Sequence, residues 1–334
     1  SSNVAMVLSK INNENPRNLA EKLKNILSNN INDFTKIDIA GPGFLNFKFN
    51  KKAWVSIINS ILKSKSKYGS NKIKKKYNVE FVSANPTGPM HVGHCRGAVF
   101  GDVISNLLKF NGAKVTKEFY INDYGKQIEN FTKSVFLRMR EIKFKEDFPN
   151  DKDLYHGNYI IDIAKMIFKN SKKINLNRYE ACFDTIKNKS LDQSLKLIKS
   201  DLKLLGIKHD VFFSESNMIK KNYVEKIINV LKKNKLVTDG YLSPPKGEET
   251  KTWKKTKRLI FKSSSFGDDS DRALQKNDGT WTYFANDIGY HFTKVSKKYD
   301  KLINVLGADH IGYIKRITAA VTAISNNKTS LTCK

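Results

Sequence analysis

The feature that most constrains the fold is a short apolar strand that leads through a Pro/Gly loop into an amphipathic helix. The patterns predict the strand over Val79–Ser83 and the helix from about His91, ending at Gly112, and a second strand with alternating apolar residues follows. Strand, loop, helix and strand within about forty-five residues are typical of a βαβ unit. We therefore expect two parallel strands joined by a right-handed crossover.

The rest of the chain predicts more of the same α/β rhythm, interrupted by helices. Residues from about 131 to 240 carry mostly helical patterns. Strand patterns return at Leu259–Phe261, Trp281–Phe284 and Leu302–Leu306, with helices predicted from about Asn286 and Ile311. The economical fold is one α/β, doubly wound, parallel, Rossmann-type sheet that a helical insertion splits.

The first seventy or so residues predict a separate, small α+β unit. Alternating apolar residues flank Gly41-Pro42-Gly43, which predicts two strands joined by a turn, and a helical pattern follows. A lysine-rich connector, Lys63–Lys76, is most simply a solvated linker. The predicted segments are 1–72 for the N-terminal unit, 73–130 and 246–334 for the two halves of the sheet domain, and 131–245 for the insertion.

Composition narrows the class of protein without fixing a function. The net charge of +28 fits a nucleic-acid partner. A biased genome composition could equally well explain the excess of lysine. No apolar run approaches the roughly 20 residues that span a bilayer. The three cysteines form no CxxC pair and predict a reducing, cytoplasmic compartment.

The loop from Ser83 to His94 carries the chemistry. It leaves the carboxyl end of a parallel strand, where open α/β folds bind ligands, and it enters a helix N-terminus, which favours an anion. Gly93 permits a close approach of a ring or phosphate to the backbone. His91 and His94 lie on one side of the first helical turn, where both imidazoles can donate hydrogen bonds to phosphate oxygens.

The same histidines raise the question of a metal site. His91, His94 and Cys95 could suggest zinc, but no second ligand pair with suitable spacing follows nearby, so no metal site is predicted. His156 and His209 are most simply surface or hydrogen-bonded histidines. Cys95 is most simply a small helix residue, since no activating context is visible.

The loop resembles the HIGH motif of class I aminoacyl-tRNA synthetases, and the wider run Val79–Val99 resembles their arginyl branch. The resemblance covers residues 75 to about 325, and the first unit resembles part of that branch's additional N-terminal domain. It continues through five further motifs, which are Phe119–Gln127, Pro244–Gly247, Phe266–Asp269, Trp281–His291 and Gly307–His310.

This resemblance implies a two-step reaction. The carboxylate of L-arginine attacks the α-phosphorus of ATP, which carries Mg²⁺, and the arginyl group then passes to the 3′-terminal adenosine of tRNA(Arg). It also implies that the protein binding these partners is cytoplasmic, is a monomer and does not associate with a membrane.

Residue by residue, the resemblance implies two groups of site residues. His91 and His94 match the catalytic positions that contact the ATP phosphates, and Gly93 matches the glycine under the adenine. The implied ATP-binding set is Pro86, Thr87, Gly88, His91, Gly93, His94, Gly307, Asp309 and His310. The implied arginine-binding set is Glu80, Ser83, Asn85, Tyr283 and Asp287.

The sequence departs from the class I pattern in one respect. A second phosphate-binding loop of KMSK type and a helical anticodon-binding domain are expected after the last strand, and neither occurs before Lys334. We therefore expect a fragment cut inside the catalytic domain. Two alternatives stay open, which are another class I synthetase or HxGH adenylyltransferase, and a non-catalytic tRNA-binding fragment.

Overall fold

The computed structural model describes residues 1–171, 174–242, 256–307 and 311–334. The chain divides into two compact units, residues 1–70 and 71–334. The first unit contains α1 (Val4–Asn12), α2 (Pro16–Asn30), β1 (Phe34–Ala40), β2 (Phe44–Phe49) and α3 (Lys51–Ser64). The strands β1 and β2 pair antiparallel around the predicted turn, which confirms the expected hairpin.

The second unit holds the parallel sheet and the helices around it. Its elements, in chain order, are β3 (Lys76–Glu80), α4 (Val92–Phe110), β4 (Lys114–Ile121), α5 (Lys126–Phe144), α6 (Asn158–Asn170), α7 (Tyr179–Leu204), β5 (Val211–Ser214), α8 (Glu215–Lys220), α9 (Tyr223–Lys233), β6 (Val237–Gly240), β7 (Arg258–Phe261), β8 (Arg272–Ala273), α10 (Tyr283–Ser296), β9 (Lys301–Asn304), α11 (Ile311–Ile324) and β10 (Ser330–Cys333).

The parallel sheet has five strands in the order β10-β9-β3-β4-β5. Every neighbouring pair in it is parallel, which confirms the predicted doubly wound α/β class. The order reverses direction between β9 and β3, and ligands of such sheets bind outside the carboxyl ends of the strands at this point. The strands β6, β7 and β8 form a separate antiparallel sheet.

Helices cover this sheet through two hydrophobic cores. One core joins β3 and β4 to α4 and α7, and the other joins β9 and β10 to α9, α10 and α11. Helices α5, α6 and α7 share a third core of their own. Within the described ranges, every helix is too short or too polar to span a lipid bilayer.

Three secondary-structure predictions were wrong in detail. The stretch Trp281–Phe284 is not a strand, because Thr282 caps α10 by accepting a hydrogen bond from the backbone of Ala285. The first strand ends at Glu80 and not at Ser83, because a turn follows it at once. The stretch predicted as mainly helical also contains β5, which joins the parallel sheet.

The helix α4 packs on the sheet through its small residues and not through its apolar stripe. Gly101 lies so close to β3 that a Cβ atom there would come within 2.2 Å of Cγ of Phe81. Val99 and Val103, which belong to the apolar face that periodicity predicts for this helix, are each 48% exposed to solvent. Close approach of a helix to a strand selects glycine, so hydrophobic periodicity alone gave the wrong face.

Candidate active site

The Pro/Gly loop connects the carboxyl end of β3 to the first turn of α4, as the sequence predicts. Pro86 and Thr87 are buried inside the loop. Gly88 faces the insertion, where a Cβ atom would lie 3.0 Å from Cζ of Tyr159. These three residues shape the loop from within and do not line the cavity beside α4.

His91 and His94 form a tilted ring pair at the start of α4. Their ring centroids lie 3.8 Å apart. Nδ1 of His91 accepts the backbone N–H of Gly93 at 3.2 Å, and Nδ1 of His94 accepts the backbone N–H of His91 at 3.2 Å. Because each Nδ1 is an acceptor, the neutral rings carry their protons on Nε2, where they can donate to an anion.

The electrostatics of this pair favour neutral imidazole at His94. Burial disfavours its charged form, and the neighbouring His91 adds to that effect, so the pKa of His94 is lowered from its ordinary value. A neutral ring donates one hydrogen bond in a fixed direction. The arrangement can therefore orient a phosphate without adding a full positive charge.

A cavity of about 490 Å³ opens beside the first turns of α4. It brings together Gly93 and His94 from α4 with Gly307, which follows β9. His91 is exposed, and its ring contacts that of His94. The other two predicted adenosine-side residues, Asp309 and His310, lie outside the described residues. The remaining lining residues are Val82, Arg96, Gly97, Phe100, Val305, Leu306 and Lys334.

A second cavity, of about 140 Å³, lies at the carboxyl ends of β3, β4 and β9. Two predicted arginine-binding residues, Glu80 and Asp287, line it from β3 and α10. The other lining residues are Tyr120, Tyr290, His291, Asn304, Leu306, Tyr313 and Ile317. A small cavity walled by carboxylates and aromatic rings suits an elongated, planar cation.

Glu80 is buried and held from three sides. Oε2 accepts from Nζ of Lys294 at 2.6 Å and from the hydroxyl of Tyr290 at 2.9 Å, while Oε1 accepts from Oγ of Ser83 at 3.2 Å. Burial alone would raise its pKa, but the charge and hydrogen bond of Lys294, with smaller effects of His291 and Tyr290, outweigh burial and lower the pKa. Glu80 is therefore an ionised, ordered acceptor.

Asp287 sits one turn inside α10, partly buried, between two rings. Its Oδ2 accepts a hydrogen bond from the hydroxyl of Tyr313 on α11, and its backbone carbonyl accepts from Nδ1 of His291 at 2.9 Å. Burial, followed by the nearby charge of Lys294, lowers the pKa of His291 to about 4. His291 is therefore a neutral wall of the cavity.

A sharp turn carries the chain from Glu80 into the loop. Val82 and Ser83 both adopt left-handed backbone, with φ of 70° and 43°. This conformation is strained for a β-branched valine. Oγ of Ser83 accepts the backbone N–H of Tyr120 at 3.1 Å while it donates to Glu80. Oδ1 of Asn85 accepts from Nδ2 of Asn122 at 3.3 Å.

Tyr283 lies apart from the cavity that holds Asp287. It is 83% exposed at the start of α10 and lines a third, larger cavity of about 820 Å³. Asn286 from α10 and Glu215 from α8 line the same cavity. Of the predicted arginine-binding residues, Glu80 and Asp287 line the small cavity and Tyr283 lines the larger one, whereas Ser83 and Asn85 line neither.

Glu215 is an acidic residue of this region that sequence reasoning missed. It is buried at the start of α8 and shares a hydrogen bond with Tyr120, which lines the cavity of Glu80 and Asp287. Burial raises its pKa to about 7; the hydrogen bond of Tyr120 opposes this, and the charges of Asp287 and Asp123 add to it. No motif marks Glu215, because it follows a strand in a stretch predicted as helical.

A second acid fixes the turn that presents Glu215. Asp123, which follows β4, accepts the backbone N–H of Ser216 at 2.8 Å and Oγ of Ser214 at 2.7 Å. The turn between β5 and α8 is thereby tied to the carboxyl end of β4. Glu215 consequently enters the site from a fourth element of the fold.

Comparisons with protein families match both units. The model described as "tRNA synthetases class I (R), catalytic domain" matches residues 57–331. The model described as "Arginyl tRNA synthetase N terminal domain" matches residues 1–49. The first match covers most of the chain and includes every described residue of the three cavities except Lys334.

Individual relatives agree with these matches. An arginine–tRNA ligase of Pelagibacter ubique is 52% identical over all of this chain, and one of Ehrlichia ruminantium is 46% identical over 99% of it. The Thermus thermophilus arginyl-tRNA synthetase structure shares the fold, with a TM-score of 0.64 at 18% identity over 98% of this chain.

These relatives are longer proteins, since the chain spans 58% of the length of each ligase and of the Thermus thermophilus structure. The HIGH-type loop, the parallel sheet and the acids at its carboxyl edge lie within the matched residues. The chain belongs to the arginyl branch of the class I tRNA synthetase family.

Proposed function

We propose that the protein activates L-arginine with ATP and transfers the arginyl group to the 3′-terminal adenosine of tRNA(Arg). The observation that carries this proposal is the convergence of Glu80, Asp287 and Glu215 on the edge of the sheet that also bears the histidine loop. Family membership and the ligase names of the relatives support the same activity.

The choice of amino acid follows from charge. A guanidinium group is planar, is always charged and pairs best with carboxylates. Glu80 and Asp287 line one small aromatic cavity, and Glu215 lines the larger cavity, so the acids of this region favour a cationic side chain. Such a site rejects neutral analogues, because they would leave buried acceptors unpaired.

The first step needs positioning and charge stabilisation. A carboxylate oxygen of arginine attacks the α-phosphorus of ATP, a P–O bond forms, and pyrophosphate leaves with the electrons of the broken P–O bond. Nε2–H groups of His91 and His94 donate hydrogen bonds to phosphate oxygens as their charge grows. Gly93 and Gly307 leave room for the adenosine in the cavity of about 490 Å³.

The second step uses the same bound arginyl-adenylate. The 2′-hydroxyl oxygen of the terminal adenosine attacks the carbonyl carbon, AMP leaves as its phosphate oxygen takes the bonding electrons, and the hydroxyl proton passes to the phosphate of AMP. No covalent enzyme nucleophile is required, so holding the two reactants in line supplies most of the acceleration. Asp287 keeps the side chain fixed during both steps.

Mg²⁺ enters this proposal with ATP. Within the described parts of the chain, no cluster of three or more His, Cys, Asp or Glu side chains could form a protein cage for a metal ion. Mg²⁺ commonly keeps several waters and binds through substrate phosphates. The protein's own contribution to the phosphates is then the loop and its two histidines.

The proposal extends to partner and location. A net charge of +28 favours association with a phosphate backbone, and the assigned RNA partner is tRNA(Arg). Cys95, Cys182 and Cys333 are free thiols, which fits a cytoplasmic protein, and we propose that it acts as a monomer.

ATP–pyrophosphate exchange across the amino acids, with tRNA present, tests this function. We expect exchange with arginine and none above background with glutamine, cysteine or lysine. Exchange with a different amino acid would point to another class I synthetase. Binding of tRNA without exchange for any amino acid would instead support a non-catalytic tRNA-binding protein.

A further inference from the structure

Lys294 is a fully buried cation beside the arginine cavity, and the reaction above does not use it. Its side chain is 0% exposed, and Nζ lies 2.6 Å from Oε2 of Glu80 and 4.3 Å from the ring centroid of Tyr290. It lies two helical turns after Asp287 on α10. Because Glu80 is the carboxylate partner of this buried ammonium group, the charge of Lys294 acts mainly on Glu80.

The carboxylate of Glu80 has little capacity left for a substrate. Oε2 already accepts from Lys294 and Tyr290, and Oε1 accepts from Ser83. A carboxylate offers about four acceptor positions, two on each oxygen. Glu80 therefore has room for one further hydrogen bond when Tyr290 donates to it, and for two when Tyr290 donates to Glu118, whereas a forked guanidinium pair needs both oxygens.

A second carboxyl group completes the network. Glu118 is the register partner of Glu80 on β4, and its oxygens lie 2.8 Å from the hydroxyl of Tyr290 and 2.8 Å from Nδ2 of Asn78. The single hydroxyl proton of Tyr290 serves only one of the two glutamates. The charge of Lys294 is matched to Glu80, whose Oε2 lies 2.6 Å from Nζ.

We infer that Lys294 is a positioning residue that neutralises and orients Glu80, so that discrimination for a guanidinium is made by the other acids of the site, Asp287 and Glu215. This inference rests on the proposed function, because it assigns roles within the arginine site. Glu80 then offers an ordered hydrogen-bond acceptor, while Asp287 and Glu215 recognise the positive charge of the arginine side chain.

A double-variant cycle tests this role by calorimetry with arginine and with citrulline, the neutral analogue in which a urea group replaces the guanidinium. Lys294→Met leaves a buried unpaired carboxylate, and we expect arginine binding to weaken about tenfold or more. Glu80→Gln with Lys294→Met removes both charges, so arginine binding returns to within about threefold of Glu80→Gln alone. ATP binding should change less than about twofold throughout, since the ATP cavity is separate.

The ratio of arginine to citrulline affinity separates this role from a structural one. We expect the double variant to keep most of the preference for arginine over citrulline, and Asp287→Asn to lose it. Lys315→Met is the matched control, because Lys315 is an exposed lysine paired with Asp269 at the surface. We expect it to bind both ligands as the unaltered chain does.

Three outcomes would overturn the inference. They are normal arginine binding by Lys294→Met, no recovery in the double variant, and loss of discrimination in the double variant equal to that of Asp287→Asn. If Lys294→Met does not fold, the double variant still decides the question through its arginine-to-citrulline ratio, because it leaves neither a buried carboxylate nor a buried ammonium unpaired. Failure of the unaltered chain to bind arginine would instead refute the proposed function.

Discussion

The two sides of the site are built in different ways. The proposed ATP side is mostly local, since one loop and one helix start supply His91, Gly93 and His94, and the segment after β9 adds Gly307. The arginine side is assembled from four elements, with Glu80 from β3, Tyr120 from β4, Glu215 from α8 and Asp287 from α10. A local site depends on one stretch of backbone, whereas an assembled site depends on the whole sheet.

The difference extends to electrostatics. On the proposed ATP side, two imidazole rings and a helix N-terminus act through hydrogen bonds and partial charges. On the arginine side, buried full charges are balanced against one another, as in the pair of Glu80 and Lys294. Changes on the first side should therefore slow catalysis, and changes on the second should alter which amino acid binds.

The largest effect is expected from the histidines. His94→Ala removes one donor to the developing phosphate charge, which costs about 10²–10³-fold in kcat for a comparable donor. Arginine binding measured by calorimetry should stay the same, because the ring lies in the other cavity. His156→Ala, an exposed histidine bonded to the backbone of Asp151, serves as control. A fall in arginine affinity as large as the fall in kcat would show that His94 acts on arginine binding as well as on catalysis, and would contradict the division into two sides.

Asp287→Asn should act on the arginine side alone. Loss of one charged hydrogen bond to a guanidinium corresponds to about 1.5–3 kcal/mol, or roughly 10–100-fold in arginine affinity. The KM for ATP in pyrophosphate exchange should move less than about twofold, since additivity holds for separate sites. Asp269→Asn, at the exposed pair with Lys315, is the matched control. Equal losses for ATP and arginine would make Asp287 a structural residue.

The raised pKa of Glu215 predicts a pH dependence of arginine binding. The carboxyl of Glu215, with a pKa of about 7, faces Tyr120, Asp287 and Asp123, and it loses its proton as pH rises. The ionised form attracts a guanidinium, so arginine affinity should rise by up to about tenfold between pH 6 and pH 8. Glu215→Gln should flatten this profile. An unchanged slope in that variant would assign the titration to another group.

The last prediction concerns stability and not binding, through the packing that both sides share. Gly101→Ala forces a Cβ atom into the ring of Phe81 and should lower the free energy of unfolding by about 1–3 kcal/mol. Gly97→Ala, on the same helix, meets nothing nearer than 3.9 Å and should be neutral or slightly stabilising. Urea unfolding of both variants makes the comparison. Equal stabilities would show that α4 can move away from β3.

Sequence reasoning succeeded where the chemistry is local. The loop, its histidines and the parallel strands around it all follow from spacing within one stretch of chain. Glu215 escaped because its role depends on β5 joining the sheet beside β4, a long-range pairing that no local pattern carries. The prediction that the apolar face of α4 packs on the sheet was wrong, because the close approach of Gly101 to Phe81 overrides hydrophobic periodicity.

The most direct test of the account is the affinity of the unaltered chain for arginine compared with citrulline, measured by calorimetry at pH 8. The two molecules have nearly the same shape, so only the charge and donors of the guanidinium distinguish them. The assembled acids predict that arginine binds about 10²-fold more tightly or better. Equal affinities would contradict the claim that Asp287 and Glu215 select the amino acid.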